Sequence, residues 1–265
     1  MNTTFWSRRR ELVAGLLVLA VFSLAGLAQA ETVQHGGLRV AFEGKLSPKA
    51  LPRSAEAGVS VSVSVKVSST TAKPPPPMTK MSIAINRYGH LNRTGLPVCQ
   101  LEQIQPATTQ DALAACHRSL VGEGRFLASV VSTGTAPFPS EGKVYAFNGE
   151  FEGRPAILAH VYGTKPAPAS YTIPFVISPT KGTFGTTLEA AFPPVKAGTG
   201  YITAIYLSLS KSFVSHGKHQ SYFSASCPAP KDLSQAIFSF AKANVTFQGG
   251  PTLGQTLTRT CEAKG

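Results

Sequence analysis

Glu150 and Glu152 stand two residues apart, so in a strand both carboxylates would project from one face. A sandwich glycosidase uses such a pair, one protonated and one ionised, to break a glycosidic bond. Here the two lie between Gly149 and Gly153, the setting of a hairpin loop, where glutamates are ordinarily solvated. His216 and His219 could offer two imidazoles to a metal, with His160 completing the set. At a hairpin tip beside Lys211 and Lys218 they would instead face water. Ser208-Leu209-Ser210-Lys211 and Ser178-Pro179-Thr180-Lys181 match the S-x-x-K spacing of serine acyl enzymes. That spacing works on a helix, which sets serine and lysine one turn apart. In a strand the two face opposite sides, and Pro179 excludes a helix interior. Past residue 30 the aspartates are Asp111 and Asp232 alone, too few for a calcium loop. The sequence holds no G-x-S-x-G elbow, P-loop or dinucleotide fingerprint. No catalytic or metal-binding residue is assigned beyond Glu150, Glu152, His216 and His219 as candidates, and no cofactor is indicated.

The start of the chain says where this chemistry would take place. Arg8, Arg9 and Arg10 precede an apolar run from Leu12 to Leu27, and Ala28-Gln29-Ala30 follows. A basic stretch, a short greasy stretch and small residues at the third and first places before a cut make a secretory signal peptide, cleaved after Ala30. Arg9-Arg10-Glu11-Leu12-Val13 also fits the twin-arginine pattern, so the route is general secretion or twin-arginine export. No span long and apolar enough to cross a membrane as a helix follows the cut. Loss of residues 1–30 removes three arginines and Glu11, leaving 22 basic against 12 acidic side chains, a net charge of +10. Excess base favours an anionic cell-envelope polymer or glycan as partner. No basic run interleaved with aromatics marks a nucleic-acid groove, and nucleic acid is not expected.

Cys99, Cys116, Cys227 and Cys261 all fall in the exported part, an even count that reads as two disulfides. Four cysteines allow three pairings. Cys99–Cys116 with Cys227–Cys261 closes the most local loops, and a bridge over a loop like the first is worth ~3 kcal/mol in the loop-entropy model. The sole tryptophan, Trp6, leaves with the signal, so a sugar would have to stack on tyrosines such as Tyr145, Tyr162, Tyr201, Tyr206 and Tyr222.

These residues are carried on strands. Val59, Val61, Val63, Val65 and Val67 alternate with serines and Lys66, the period of a strand with valines on the core and serines in water. Met81, Ile83 and Ile85 repeat it, and Pro74 to Pro77 form an extended connection between the two. One short helix is expected from Thr108 to Leu120, capped by Thr108 or Thr109, with Leu113, Cys116 and Leu120 on one face. Further strands are expected at 126–131, 143–147, 156–162, 172–177, 186–192, 201–214, 221–226, 237–247 and 255–260. Asn148-Gly149 would open a hairpin loop and residues 216–219 another. Consecutive hairpins without helix–strand alternation give an all-β fold, an antiparallel β-sandwich, jelly-roll-like, with one short helix. Residues 31–265 form a single sandwich domain, with a possible sub-boundary near 97–122.

Leu38 to Phe42 with Leu51-Pro52-Arg53, Asn86-Arg87-Tyr88-Gly89 with Gly95 to Cys99, Ser119 to Gly122, Ala146 to Gly149, Ser221-Tyr222 and Cys227-Pro228-Ala229-Pro230 occur in this order. Together they resemble a group of uncharacterised exported proteins of soil actinobacteria. The resemblance implies secretion and an all-β fold and brings no activity with it. A non-enzymatic binding or structural module at the cell surface or in the medium follows, with an extracellular hydrolase of polysaccharide or cell wall as the alternative. Protein recovered from a secreting host should begin at Glu31, a result that N-terminal sequencing reads directly. An intact Arg8–Leu27 segment on the recovered protein would refute the cleavage.

Overall fold

The computed structural model describes residues 30–131, 136–165, 167–193 and 200–264. Its strands, in chain order, begin with β1 (Glu31–His35), β2 (Leu38–Ser47), β3 (Ala50–Pro52), β4 (Ala57–Ser69), β5 (Met78–Asn86) and β6 (Gly89–Leu91). Two short helices follow, α1 (Leu101–Ile104) and α2 (Thr109–Cys116). Then come β7 (Leu120–Val130), β8 (Phe138–Phe151), β9 (Arg154–Gly163), β10 (Ala169–Pro179), β11 (Phe184–Ala191) and β12 (Gly200–Leu209). The chain ends on β13 (Ser212–Ser215), β14 (Lys218–Ser221), β15 (Phe223–Ala225), β16 (Gln235–Phe247) and β17 (Thr252–Lys264).

One long sheet runs β1-β2-β4-β12-β7-β8-β9-β10-β11-β5-β16-β17-β3, and every pairing along it is antiparallel except that of β17 with β3. A twisted sheet of more than ~10 strands curls, and this one curls until its ends meet. Arg259 of β17 donates from Nε to the Gly44 carbonyl of β2 and from its two terminal nitrogens to the Glu31 carboxylate of β1. Gly44 makes the approach possible, because a Cβ there would lie 2.9 Å from the Phe240 ring and 3.2 Å from Leu257. The fold is therefore all-β and sandwich-like, its two walls being two parts of one curled sheet. Val40 and Phe42 of β2, Val61 and Val65 of β4, and Val245 and Leu257 of β16 and β17 share the core between them.

The valine strand is β4, but its serines are not all in water. Ser64 is buried and donates to Glu43, and Ser62 lies 2.7 Å from Ser208. β4 sits mid-sheet between β2 and β12, so its second face meets cross-strand neighbours. The expected strand 201–214 is divided into β12 and β13, because Ser210 leaves the ladder to bond Val121 and the chain turns out into the separate β13–β14 hairpin. The expected strand 221–226 is broken at Tyr222, between β14 and β15.

Two helices stand where one was expected. Thr108 caps α2 by accepting from the Asp111 amide at 3.2 Å. The helix stops at Cys116, and Leu120 pairs with Phe147 as the first rung of the β7–β8 ladder instead of extending the helix. Ala112 and Cys116, four apart on α2, pack with Ile104 and Cys99 over Tyr145, Phe147, Ala156 and Leu158. β8 and β9 are thereby buried on both faces, which explains their unbroken buried runs, Val144 to Gly149 and Ala156 to His160. The disulfides are Cys99–Cys116, which holds this helical cap to the sheet, and Cys227–Cys261, which ties the segment after β15 to β17.

Replacing Arg259 by Met should leave the largely covered Glu31 carboxylate and the Gly44 carbonyl without their donor. A loss of about 2 kcal/mol is expected, the scale of hydrogen bonds to a charged group. Urea unfolding at neutral pH measures it, and an unchanged midpoint would show that the sheet closes without this contact.

Candidate ligand-binding cavity

The concave face of the sheet is filled at one end and hollow at the other. Along β12–β7–β8–β9–β10 the inward positions line up by register: Ile202 opposite Ala128, Ala128 opposite Ser140, Ile205 opposite Phe126, Phe126 opposite Gly142. The rows continue through Val144 opposite Val161, Val161 opposite Tyr171, and Ala159 opposite Ile173. Ile202 and Ile205 are three apart yet share the inner face, because a bulge between Ile202 and Ala204 inserts one residue. Many inward positions are small. Ala128, Ser140, Ala159, Gly163 and Ala169 line a cavity of about 560 Å³ that is partly open to its surroundings. At Gly142 a Cβ would lie 2.4 Å from the Phe126 ring, which occupies the space instead. Phe126, Ile202, Ile205 and Leu207 point inward and are only half-buried, since none of the described residues fills the space before them.

This volume is several times the ~150 Å³ opened by deleting one large core side chain, so it is not a packing flaw. It falls in the ~300–1,000 Å³ range of small-molecule sites, and the apolar lining with few polar groups is the usual composition of such sites. Among the described residues lining it, Lys165 alone carries a charge. The Lys165 backbone is held at the rim, its carbonyl accepting from Ser140 Oγ at 3.2 Å.

The residues singled out for chemistry lie elsewhere. Asn148-Gly149 does not open the β8–β9 hairpin; β8 continues through it, and the turn is Glu152-Gly153, both at positive φ. Asn148 is buried and spent on tertiary contacts, accepting from Arg93 Nε at 2.7 Å and donating to Pro97 at 2.9 Å. Glu150 pairs with Pro155 near the end of β8, while Glu152 sits in the turn beside Arg154 at 3.5 Å, largely exposed. His216 and Gly217 form the β13–β14 tip, where His216 Nδ1 meets Ser215 Oγ at 3.0 Å, and His219 stands exposed on β14 opposite Val214. His160 lies buried on β9 beneath α1. Among the described residues no three His, Cys, Asp or Glu side chains gather as a metal site. Of the S-x-x-K pairs, Ser208 bonds Ser62, and Ser178 bonds Thr187 through its backbone on β10. Tyr145 and Tyr222 are buried and cannot stack on a sugar, while Tyr206 lies under Arg125 at 4.7 Å and Lys66 at 5.8 Å.

A polar cleft of about 430 Å³ beside β15 gathers residues that the sequence did not bring together: Glu56, Asn92, His219 and Ser224. Ser224 donates to one Glu56 oxygen, and His90 Nε2 lies 3.4 Å from the other. The carboxylate thus stands between serine and histidine. A serine relay needs the histidine in the middle, so this cleft lacks the order that would activate Ser224.

His160 Nδ1 lies 3.1 Å from the Ile104 carbonyl, so it carries the ring proton and donates it, and Nε2 has no partner among the described residues. The hydroxyl of Thr172, opposite His160 on β10, likewise has no partner among the described residues. Burial holds the His160 pKa below its ordinary value, and the bond to Ile104 offsets this only in part. Tyr222 is also wholly buried, and desolvation pushes its hydroxyl well above the usual range despite Arg93. Above about pH 6.5 His160 is neutral folded and unfolded alike and contributes no pH dependence. Below it the unfolded chain takes the proton and the folded chain resists, so stability falls with pH. His160→Gln should flatten the fall in urea midpoint between about pH 7 and pH 5 relative to the parent. An equal slope in both proteins would show that His160 is protonated freely in the fold. Set against protein-family models, curated proteins and solved structures, the chain finds no match in any of the three comparisons.

Proposed function

We propose that this is an exported, non-enzymatic binding module that acts at the cell surface or in the medium by holding an apolar ligand in the hollow of its curled sheet. The observation that carries the reading is the cavity, a largely apolar space lined by five adjacent strands that none of the described residues fills. Two disulfides support an oxidising compartment, and among the described residues no helix is long and apolar enough to cross a membrane. The leader-like segment ending at Ala28-Gln29-Ala30 and the resemblance to exported actinobacterial proteins support export itself. The net charge of +10 on the chain from Glu31 adds attraction to anionic envelope polymers or glycans, which would keep the module near its source. The hydrolase alternative has less behind it: Glu150 and Glu152 end at a solvated hairpin, and Ser224 faces a carboxylate in place of a base.

Every described strand and helix lies between Glu31 and Lys264, so the chain from Glu31 carries all the described elements. With that protein, N-phenyl-1-naphthylamine fluorescence should rise to saturation at about one dye per chain, as expected for one small-molecule pocket. Ala128→Trp, which places a large ring in the hollow from a half-buried position, should weaken the dye about tenfold or more, 1.4 kcal/mol upward. Fluorescence that never saturates, or that ignores the tryptophan, would sink this reading.

A further inference from the structure

We infer that the cavity takes a single-chain anionic amphiphile, its alkyl chain lying along the strands and its charged head at Lys165. The inference rests on the binding reading above and names the ligand class for the same site. Three features lead to it.

The first is shape. On β10 the lining runs from Ala169 to Phe175, six residue steps, and on β12 from Gly200 to Leu207. At ~3.4 Å per step the hollow extends about 20 Å along the strands. A volume of about 560 Å³ lying along that length makes the hollow elongated in the strand direction. An extended alkyl chain lying parallel to the strands matches that elongation. The second feature is lining. Ile202, Ile205, Leu207, Ile173 and Phe175 offer aliphatic and aromatic surface along that length, with hydroxyls confined to a few positions such as Ser129 and Ser140. The third is the position of the charge. Lys165 lies in the connection between β9 and β10, at the end of the hollow marked by Gly163 and Ala169, and Phe175 and Leu207 lie toward the other end. A chain with its head at Lys165 would have its tail among them. No acidic side chain occurs among the described residues lining the cavity, so the field at that end favours a negative head.

The test uses the chain from Glu31 and three dodecyl probes that differ only in their heads: dodecanoate, dodecanol and dodecyltrimethylammonium. Each is titrated below its micelle threshold at low salt, against bound N-phenyl-1-naphthylamine. Dodecanoate should displace the dye at concentrations about threefold to fivefold below dodecanol, the range of an exposed ion pair, with the ammonium weakest. Lengthening the carboxylate from decanoate to dodecanoate should tighten it about fourfold per methylene, the ~0.8 kcal/mol of a buried CH₂. Lys165→Glu should weaken dodecanoate about fivefold and leave dodecanol unchanged, while Lys218→Glu, on the exposed β14 and away from the hollow, gives the same net charge and the parent's head preference. Equal affinity for the three heads, or equal effects of the two lysine substitutions, would overturn the head assignment while dye binding stands. Bound dye that no dodecyl probe displaces would overturn the alkyl-chain assignment. Failure of the dye itself to bind would overturn the binding reading beneath both.

Discussion

The seam at Arg259 is the contact on which the rest of the architecture hangs. A sheet of this many strands has to end somewhere, and an open end exposes a row of unpaired backbone donors and acceptors. Here the curl brings β1 and β2 against β17, and a single guanidinium reaches both, to a carboxylate on one strand and a carbonyl on the next. Five N–H groups in a fixed fork suit that geometry, which an ammonium would not reproduce. Because Gly44 admits the Phe240 ring and Leu257 across the seam, the apolar core continues through it.

With the curl fixed, what becomes of the concave face is decided by side-chain volume. Where β2, β4, β16 and β17 face one another, Phe42, Val65, Val245 and Leu257 fill the interior. Where β7, β8, β9, β10 and β12 turn their inner faces together, glycine, alanine and serine recur, and the walls stay apart. The outer face of the same strands is covered at β8 and β9 by α1 and α2, with Cys99–Cys116 clamping the cover. The strands behind the hollow are thus among the best supported in the molecule. A site lined by rigid ladders and braced from behind has little freedom to collapse when empty.

Local periodicity made much of the scaffold legible. The alternation of Val59 to Val67 gives β4, Met81 to Ile85 gives β5, and Thr108 with Asp111 gives the start of α2. What misled was chemistry that serves two purposes. Asn148-Gly149 has turn composition, but its asparagine is the buried anchor for Arg93 and Pro97, and the turn falls at Glu152-Gly153. Tyr201 to Val214 is continuously apolar enough for one strand, yet the chain changes partners at Ser210. The hollow was invisible for a different reason. Ala128, Ser140, Ala159, Gly163 and Ala169 come from four strands, and only their register sets them side by side. Taken singly, glycine and serine in a β sequence read as punctuation. The ionisable candidates, Glu152 and His216, were conspicuous because hairpin tips collect polar residues.

The place of β12 in the sheet has a kinetic meaning. It is the twelfth strand along the chain, yet it lies between β4 and β7 and joins the first strands to the five-strand meander that follows. Until residues 200–209 have emerged, β4 and β7 each present a bare edge, and β5 waits still longer for β16. No stretch from the beginning of the chain can complete its ladders on its own. Loop-closure entropy must be met before those distant pairings reward it, which makes assembly slow and sensitive to premature association. The export proposed above would therefore have to carry the chain either wholly unfolded or wholly finished. The half-made state between is the one with open edges.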